Sequence, residues 1–207
     1  MLVLGFMGSP RLNGMNGKLV RKVLEGAESR GAETKIIELI KCDIKFCRGC
    51  FSCVFKDHEL PIGICPMQDD MASILEEYSR ADGYVFSSPN YDGYISALMK
   101  VFCERRISLL FRDEDAYVQM GMPRAPADFK KKAALIVTAN CPEEFREVMG
   151  DPCFDAMSSH LILEQIEIID KFYVGGVENM PDETLGENLD KAYAMGARIV
   201  EEIEKER

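Results

Sequence analysis

The stretch Leu2-Val3-Leu4-Gly5-Phe6-Met7-Gly8-Ser9-Pro10-Arg11-Leu12-Asn13-Gly14-Met15-Asn16-Gly17-Lys18 decides the fold. It opens with a short apolar run, too brief for a helix and suited to a strand buried on both faces. The chain then breaks into Gly, Ser, Pro, Arg and Asn, and a periodic pattern resumes at Val20, Val23, Leu24 and Ala27, one face of a helix. Strand, polar glycine loop and helix start are how a parallel α/β sheet holds a phosphate. Free N–H groups and the positive end of the helix dipole face the anion, and Ser9 and Arg11 can add hydrogen bonds. The G-x-x-x-x-G-K-[ST] spacing is absent, because Gly17-Lys18 is followed by Leu19, and so is the G-x-G-x-x-G dinucleotide turn. The phosphate that fits is a single terminal one. The alternative is a tight loop that holds no ligand.

Working outward, 207 residues suffice for one α/β domain with a substantial core, so residues 1–207 are read as a single domain. A net charge of −10 argues against nucleic acid or an anionic membrane surface as partner. No apolar run approaches the ~18 residues of a membrane span, and the N-terminus reads as strand one rather than a signal peptide. The expected location is therefore cytoplasmic, where thiols stay reduced. Eight cysteines there point to metal, cluster or redox chemistry rather than to a disulfide scaffold.

The first helix should end near Ser29-Arg30-Gly31, with strand two over Thr34 to Ile40. Residues 42–66 form a long cysteine-rich loop, and a loop of that length is usually functional. Asp69 or Asp70 suits a helix N-cap ahead of Met71, Ile74, Leu75 and Tyr78. Strand three is Tyr84 to Ser88, followed by a polar turn over Pro89 to Tyr94 and a helix with Ile95, Leu98, Met99 and Phe102 on one face. Phe111 to Lys132 reads as a surface excursion, Ala133 to Thr138 as strand four and Asn140 to Asp151 as a polar loop. A helix from about Pro152, strand five over Ile166 to Val174 and a helix over Leu185 to Ile203 complete the pattern. Alternating strands and helices predict a doubly wound, five-stranded parallel sheet of order 2-1-3-4-5. Its topological switch lies between strands one and three, so the Ser9–Lys18 and Ser88–Tyr94 loops should face each other, with Thr138-Ala139-Asn140 beside them. In the Pro89–Gly93 turn, Gly93 permits close backbone approach and Tyr91 offers an aromatic face to a flat heterocycle. With the phosphate loop at the other end, flavin mononucleotide (FMN) fits both; a ligand-free Pro-Asn turn is the competing reading.

These residues resemble a known family. Gly8-Ser9-Pro10-Arg11 after the first strand, Asp69-Asp70-Met71, Ala81-Asp82-Gly83 and Ser88-Pro89-x-Tyr91-x-Gly93 look like the NADPH-dependent FMN reductases of the flavodoxin-like fold. Cys47-x2-Cys50-x2-Cys53 ahead of Asp69 narrows the likeness to the branch containing the iron–sulfur flavoproteins. The resemblance implies that Ser9, Arg11, Asn16, Gly17 and Lys18 hold the FMN phosphate and that Pro89, Asn90, Tyr91 and Gly93 line the isoalloxazine. It also implies a homodimer or homotetramer in which a neighbouring subunit covers the flavin.

Cys47, Cys50 and Cys53 have the spacing by which one turning segment reaches neighbouring irons of a cluster, and Cys65 can supply a fourth thiolate. The insertion Val54–Ile64 departs from the iron–sulfur flavoproteins, whose fourth cysteine comes sooner. Three readings stay open: a [4Fe–4S] cluster, metal-free reduced thiols, and four-cysteine zinc. Cys42 could substitute or merely pack, while Cys103, Cys141 and Cys153 default to packing, and His58 and His160 each stand alone. The expected activity is that of an NAD(P)H-linked FMN oxidoreductase that passes electrons to a small acceptor, or singly through a cluster. The flavin carries the reaction, so no side chain is assigned as catalytic. The rival is a non-enzymatic FMN electron carrier between protein partners, which the acidic charge would suit.

Overall fold

The computed structural model describes residues 1–57, 59–112, 122–124 and 130–207. In chain order its elements are β1 (Leu2–Met7), α1 (Met15–Glu28), β2 (Glu33–Glu38), the single turn α2 (Ser52–Phe55), α3 (Met71–Arg80), β3 (Gly83–Tyr91), β4 (Tyr94–Ile95) and α4 (Ala97–Arg105). There follow β5 (Leu110–Phe111), β6 (Met122–Pro123), β7 (Lys132–Thr138), α5 (Arg146–Met149), α6 (Asp151–Leu163), β8 (Glu167–Val174) and α7 (Asp182–Glu204). The main sheet runs β2-β1-β3-β7-β8, all parallel, which is the expected 2-1-3-4-5 order.

Side-chain alternation along the strands builds two cores. Leu4, Phe6, Tyr84, Phe86, Leu135 and Val137 pack beneath α3, α4 and α6. Val3, Val85, Ala134 and Ile136 meet α1 and α7 on the opposite face. Each such large side chain contributes roughly 1.5–3 kcal/mol by leaving water, and burial on both faces is why the strands read as unbroken apolar runs.

Several boundaries differ from the sequence expectation. Ile95, expected on a helix face, ends β4, because the hairpin pairs it with Asn90 and α4 begins only at Ala97. The loop expected over residues 42–66 contains the turn α2, and the last helix begins at Asp182 rather than Leu185. β2 stops at Glu38, and Leu39–Lys41 turn as a 3-10 helix. The loop after β7 coils into Glu143–Phe145 and α5. The turn expected over Pro89–Tyr94 is instead a continuation of β3 to Tyr91, closed by a two-residue hairpin into β4. Pro89 is tolerated within that strand for a geometric reason. Ser87 turns its carbonyl toward the β1 side, where it accepts from Gly8 N at 2.8 Å. Pro89, two residues on, faces the same side, but β1 has ended at Met7, so its missing N–H has no partner to lose. Of the excursion expected over Phe111–Lys132, residues 113–121 and 125–129 lie outside the described residues.

Candidate functional site

The loop between β1 and α1, the β3–β4 hairpin and the segment after β7 meet at the C-terminal edge of the sheet, and hydrogen bonds join them. Gly8 N donates to Ser87 O, and Ser96 Oγ donates to Gly8 O at 2.5 Å. Ser96 N in turn donates to Ser88 Oγ at 2.9 Å. Asn16 sits at the junction, 3% exposed. Its Nδ2 donates to Thr138 Oγ1 at 2.6 Å and its Oδ1 accepts from Ser87 Oγ at 2.5 Å. One side-chain amide therefore ties α1 to β3 and β7.

The first loop has the makings of an anion cradle. Buried Ser9 accepts from Arg11 N at 3.2 Å, and Gly14 N donates to Arg11 O at 3.0 Å, so the loop is pinched on itself. Gly14 begins α1 with no side-chain cap, and the first turn carries no carboxylate. In a chain of net charge −10, that is a helix N-terminus with no side-chain acceptor capping its N–H groups among the described residues. Arg11 and Lys18 are exposed at its rim. Arg21 Nη1 supports the loop from behind by donating to Leu12 O at 3.0 Å. Gly17 serves that same approach, because a Cβ there would lie 2.0 Å from Leu12 O.

At the hairpin, Asp92 (φ 55°) and Gly93 (φ 77°) both take the left-handed region, the two-residue turn that Asp-Gly favours. Asn90 Oδ1 accepts from Gly93 N at 3.1 Å, while Nδ2 donates to Met149 O at 2.5 Å and approaches Cys153 Sγ at 3.5 Å. Asn90 thus rigidifies the hairpin and ties it to α5. Pro89 is buried in the strand. Tyr91 and Tyr94 stand out at 41% and 42% exposure, and Phe145 and Val148 are also exposed nearby along the chain from β7.

The cysteine loop is a second centre. Cys47, Cys50, Cys53 and Cys65 line one cavity, together with Gly49, Met67 and Arg105. The insertion Val54–Ile64 does not carry Cys65 away. It folds back around Arg124, which donates to Cys53 O (2.8 Å), Lys56 O (2.7 Å), Asp57 O (2.6 Å), Leu60 O (3.3 Å) and Leu110 O (3.0 Å). Gly63 N closes the return on Ser108 O at 2.7 Å. Burial, reinforced by Cys65 and Cys47, pushes the Cys53 thiol up to about 11, whereas hydrogen bonds from Ser52 lower that of Cys50. Among the described residues no three ligating side chains converge tightly enough for a single metal ion. Cys42 is half-buried against Glu38 O rather than on the cavity wall, Cys141 is half-buried, and Cys103 and Cys153 are buried. Asp69 caps α3 at Met71 N (3.1 Å) and binds Lys45 N (3.0 Å). Burial would raise its carboxyl, but these bonds and Arg105 hold it below the usual range.

Sequence reasoning passed over Arg105, Arg124 and Ser96. Only Ser96 carried a local signal, as a helix N-cap that accepts from Met99 N at 3.2 Å. A cavity of about 840 Å³ opens at the opposite edge of the sheet, near Tyr78, Glu164, Glu167 and Glu206. It lies at the N-terminal ends of the strands, away from the βα loops, and is lined by Lys130 and Lys131 as well as by the three glutamates.

His58 lies outside the described residues. His160 is partly buried in α6, and burial, then the charges of Arg106 and Lys100, push its imidazole down to about 4. Between that value and its ordinary 6.5 the unfolded chain binds more protons, so the stability present above pH 6.5 is lost as pH falls toward 4. His160→Leu should remove up to about 3 kcal/mol of that decline. Urea unfolding of both proteins across this range checks it; parallel pH profiles would refute it.

Comparison with known proteins places this architecture. The chain is 38% identical over 105 residues to an iron–sulfur flavoprotein of Methanocaldococcus jannaschii, a match covering 51% of this chain and 51% of the relative, so it spans about half that relative's length. It is 26% identical over 204 residues to an iron–sulfur flavoprotein of Archaeoglobus fulgidus, covering 99% of this chain and 81% of the relative. An NAD(P)H:quinone oxidoreductase from Methanothermobacter marburgensis shares the fold with TM-score 0.71 at 18% identity, covering 96% of this chain and 98% of that one. A flavodoxin from the domain Archaea does so with TM-score 0.59 at 12% identity, covering 99% of both chains. The fold is thus flavodoxin-like. Residues 1–142, which hold both the β1–α1 loop and the cysteine lobe, match the NADPH-dependent FMN reductases, and the chain belongs to that family.

Proposed function

We propose that residues 1–207 form one FMN-binding unit, an NAD(P)H-linked oxidoreductase whose cysteine lobe carries a [4Fe–4S] cluster. The observation that carries the reading is the hydrogen-bonded meeting of three βα loops around an uncapped, carboxylate-free helix start. The first-turn N–H groups of α1, with Ser9, Arg11 and Lys18, hold the FMN phosphate; Asn16 and Gly17 shape the loop that does so. The β3–β4 hairpin offers Tyr91, Gly93 and neighbouring backbone to the ring, with Pro89 and Asn90 fixing its position. When bound, FMN supplies hydride acceptance from NAD(P)H and electron delivery onward, to a small acceptor or a redox protein. Exposed Tyr91, Tyr94, Phe145 and Val148 form an apolar rim that a second copy of the chain would cover, as the family resemblance implies.

Four thiols on one cavity wall, three of them at successive x2 spacings, suit a cluster with a thiolate on each iron. Cys47, Cys50, Cys53 and Cys65 would ligate the irons and pass single electrons. All eight cysteines are unpaired, which supports a reducing, cytoplasmic setting. Among the described residues no helix is long and apolar enough to cross a membrane.

Anaerobically prepared protein should contain flavin and iron and oxidise NADH or NADPH. Protein that takes up no FMN would refute the proposal, and flavin-loaded protein without turnover would favour the acidic electron carrier instead. Arg11→Ala should weaken FMN binding about tenfold or more by removing a charge-assisted contact, with apo-protein stability unchanged. Unaltered affinity in a fluorescence titration would remove Arg11 from the site.

A further inference from the structure

The wall of the cysteine cavity is not only sulfur. Arg105, the last residue of α4, is 3% exposed and points its guanidinium into that wall. Nη1 donates to Lys45 O at 2.8 Å, and both terminal nitrogens clamp the Asp69 carboxylate, Nη2 to Oδ1 at 3.1 Å. Asp69 is itself held by Lys45 N and Met71 N. With three oxygens fixing its plane, Nη2 has a further N–H direction, and it reaches Cys65 Sγ at 3.6 Å. A simple strut would need only the Asp69 clamp; this one is aimed at a sulfur.

We propose that Arg105 donates a hydrogen bond to the Cys65 sulfur as a cluster ligand and so raises the reduction potential of the cluster. The inference rests on the cluster reading given under Proposed function. Reduction adds negative charge to the irons and their sulfurs, and a donated N–H with a fixed positive charge stabilises that added charge. Arg105 therefore acts as a positioning residue, through Cys65, and eases electron entry into the lobe. Arg48 lines the same cavity and carries the same charge, but it is exposed, where solvent screens it.

That pair supplies the test. Midpoint potentials are measured by EPR-monitored titration of anaerobic holoprotein for wild type, Arg105→Gln and Arg48→Gln. Arg105→Gln should lower the potential by the equivalent of about a tenfold change in the oxidised-to-reduced ratio, 59 mV for a one-electron couple. Arg48→Gln should change that ratio by less than about threefold. Equal potentials in Arg105→Gln and wild type, or equal shifts in the two variants, would overturn the assignment while leaving the cluster in place. If Arg105→Gln fails to assemble a cluster, pulsed EPR of reduced Arg48→Gln protein labelled with 15N-arginine decides. A nitrogen coupling to the cluster supports the assignment and its absence overturns it. Wild-type protein that binds no iron overturns the cluster reading itself, and this inference with it.

Discussion

Arg124→Met should strip the cysteine lobe of iron while leaving FMN in place. The described residues between Cys53 and Cys65 make local backbone bonds from Val54 N and Phe55 N to Phe51 O (2.8 and 3.2 Å) and from Leu60 N to Asp57 O (3.0 Å), and are tied outward by Arg112 N to Val54 O at 3.1 Å and Gly63 N to Ser108 O at 2.7 Å. Their shape depends on a single guanidinium, 8% exposed, that donates to five backbone carbonyls. Hydrogen bonds to a charged donor are each worth about 1.5–3 kcal/mol, and methionine fills the volume while offering no donor. The carbonyls need not stay buried and unpaired; the lobe can open to water instead, which is the low-energy local unfolding typical of segments with little core. Opening separates Cys65 from Cys47, Cys50 and Cys53. Even about 1.4 kcal/mol of opening lowers cluster affinity tenfold, so the iron-to-flavin ratio should fall, and it should fall further after dilution or treatment with an iron chelator than in wild type. The sheet lies outside the lobe, and Ile62 of the insertion is only partly buried against one core, so thermal unfolding of the flavin-loaded protein should shift by only about 2–4 °C. An unchanged iron-to-flavin ratio would mean that the insertion holds its shape without Arg124.

The different legibility of the two centres follows from how each is encoded. The β1–α1 loop is local: its strand, glycines and helix start lie within residues 2–18, and period and composition expose them directly. The sheet order followed from right-handed crossovers acting on well-marked strands. Cys47, Cys50 and Cys53 announce themselves by spacing. Other features depend on contacts that sequence distance hides. Arg124 acts 71 residues from Cys53, Arg105 acts 40 residues from Cys65, and the Thr138–Asn16 bond spans 122. A lone arginine has no period to betray it. Pro89 misled for the opposite reason, because its local preference for a turn is real. Only the early end of β1 makes a proline harmless inside β3.

Arg11 on the β1–α1 loop and Asn16 in the first turn of α1 should fail in different ways. Asn16→Ala removes two buried bonds and leaves Ser87 Oγ, 0% exposed, and Thr138 Oγ1, 3% exposed, without their partner. An abandoned buried hydroxyl costs about 1–3 kcal/mol, so with two of them the apo-protein should lose about 2–6 kcal/mol in urea unfolding. FMN affinity should fall as well, because the tie among α1, β3 and β7 that presents the first-turn N–H groups is gone. Asn16→Asp separates the two effects. A carboxylate there can still accept from both hydroxyls and so restore part of the stability. It also places a negative charge behind the anion cradle, and FMN binding should weaken further than in Asn16→Ala. A purely structural residue would give the opposite ranking, with the better-folded aspartate variant binding FMN more tightly. Apo-protein stability within about 0.5 kcal/mol of wild type in Asn16→Ala would show that the three loops hold together without this amide.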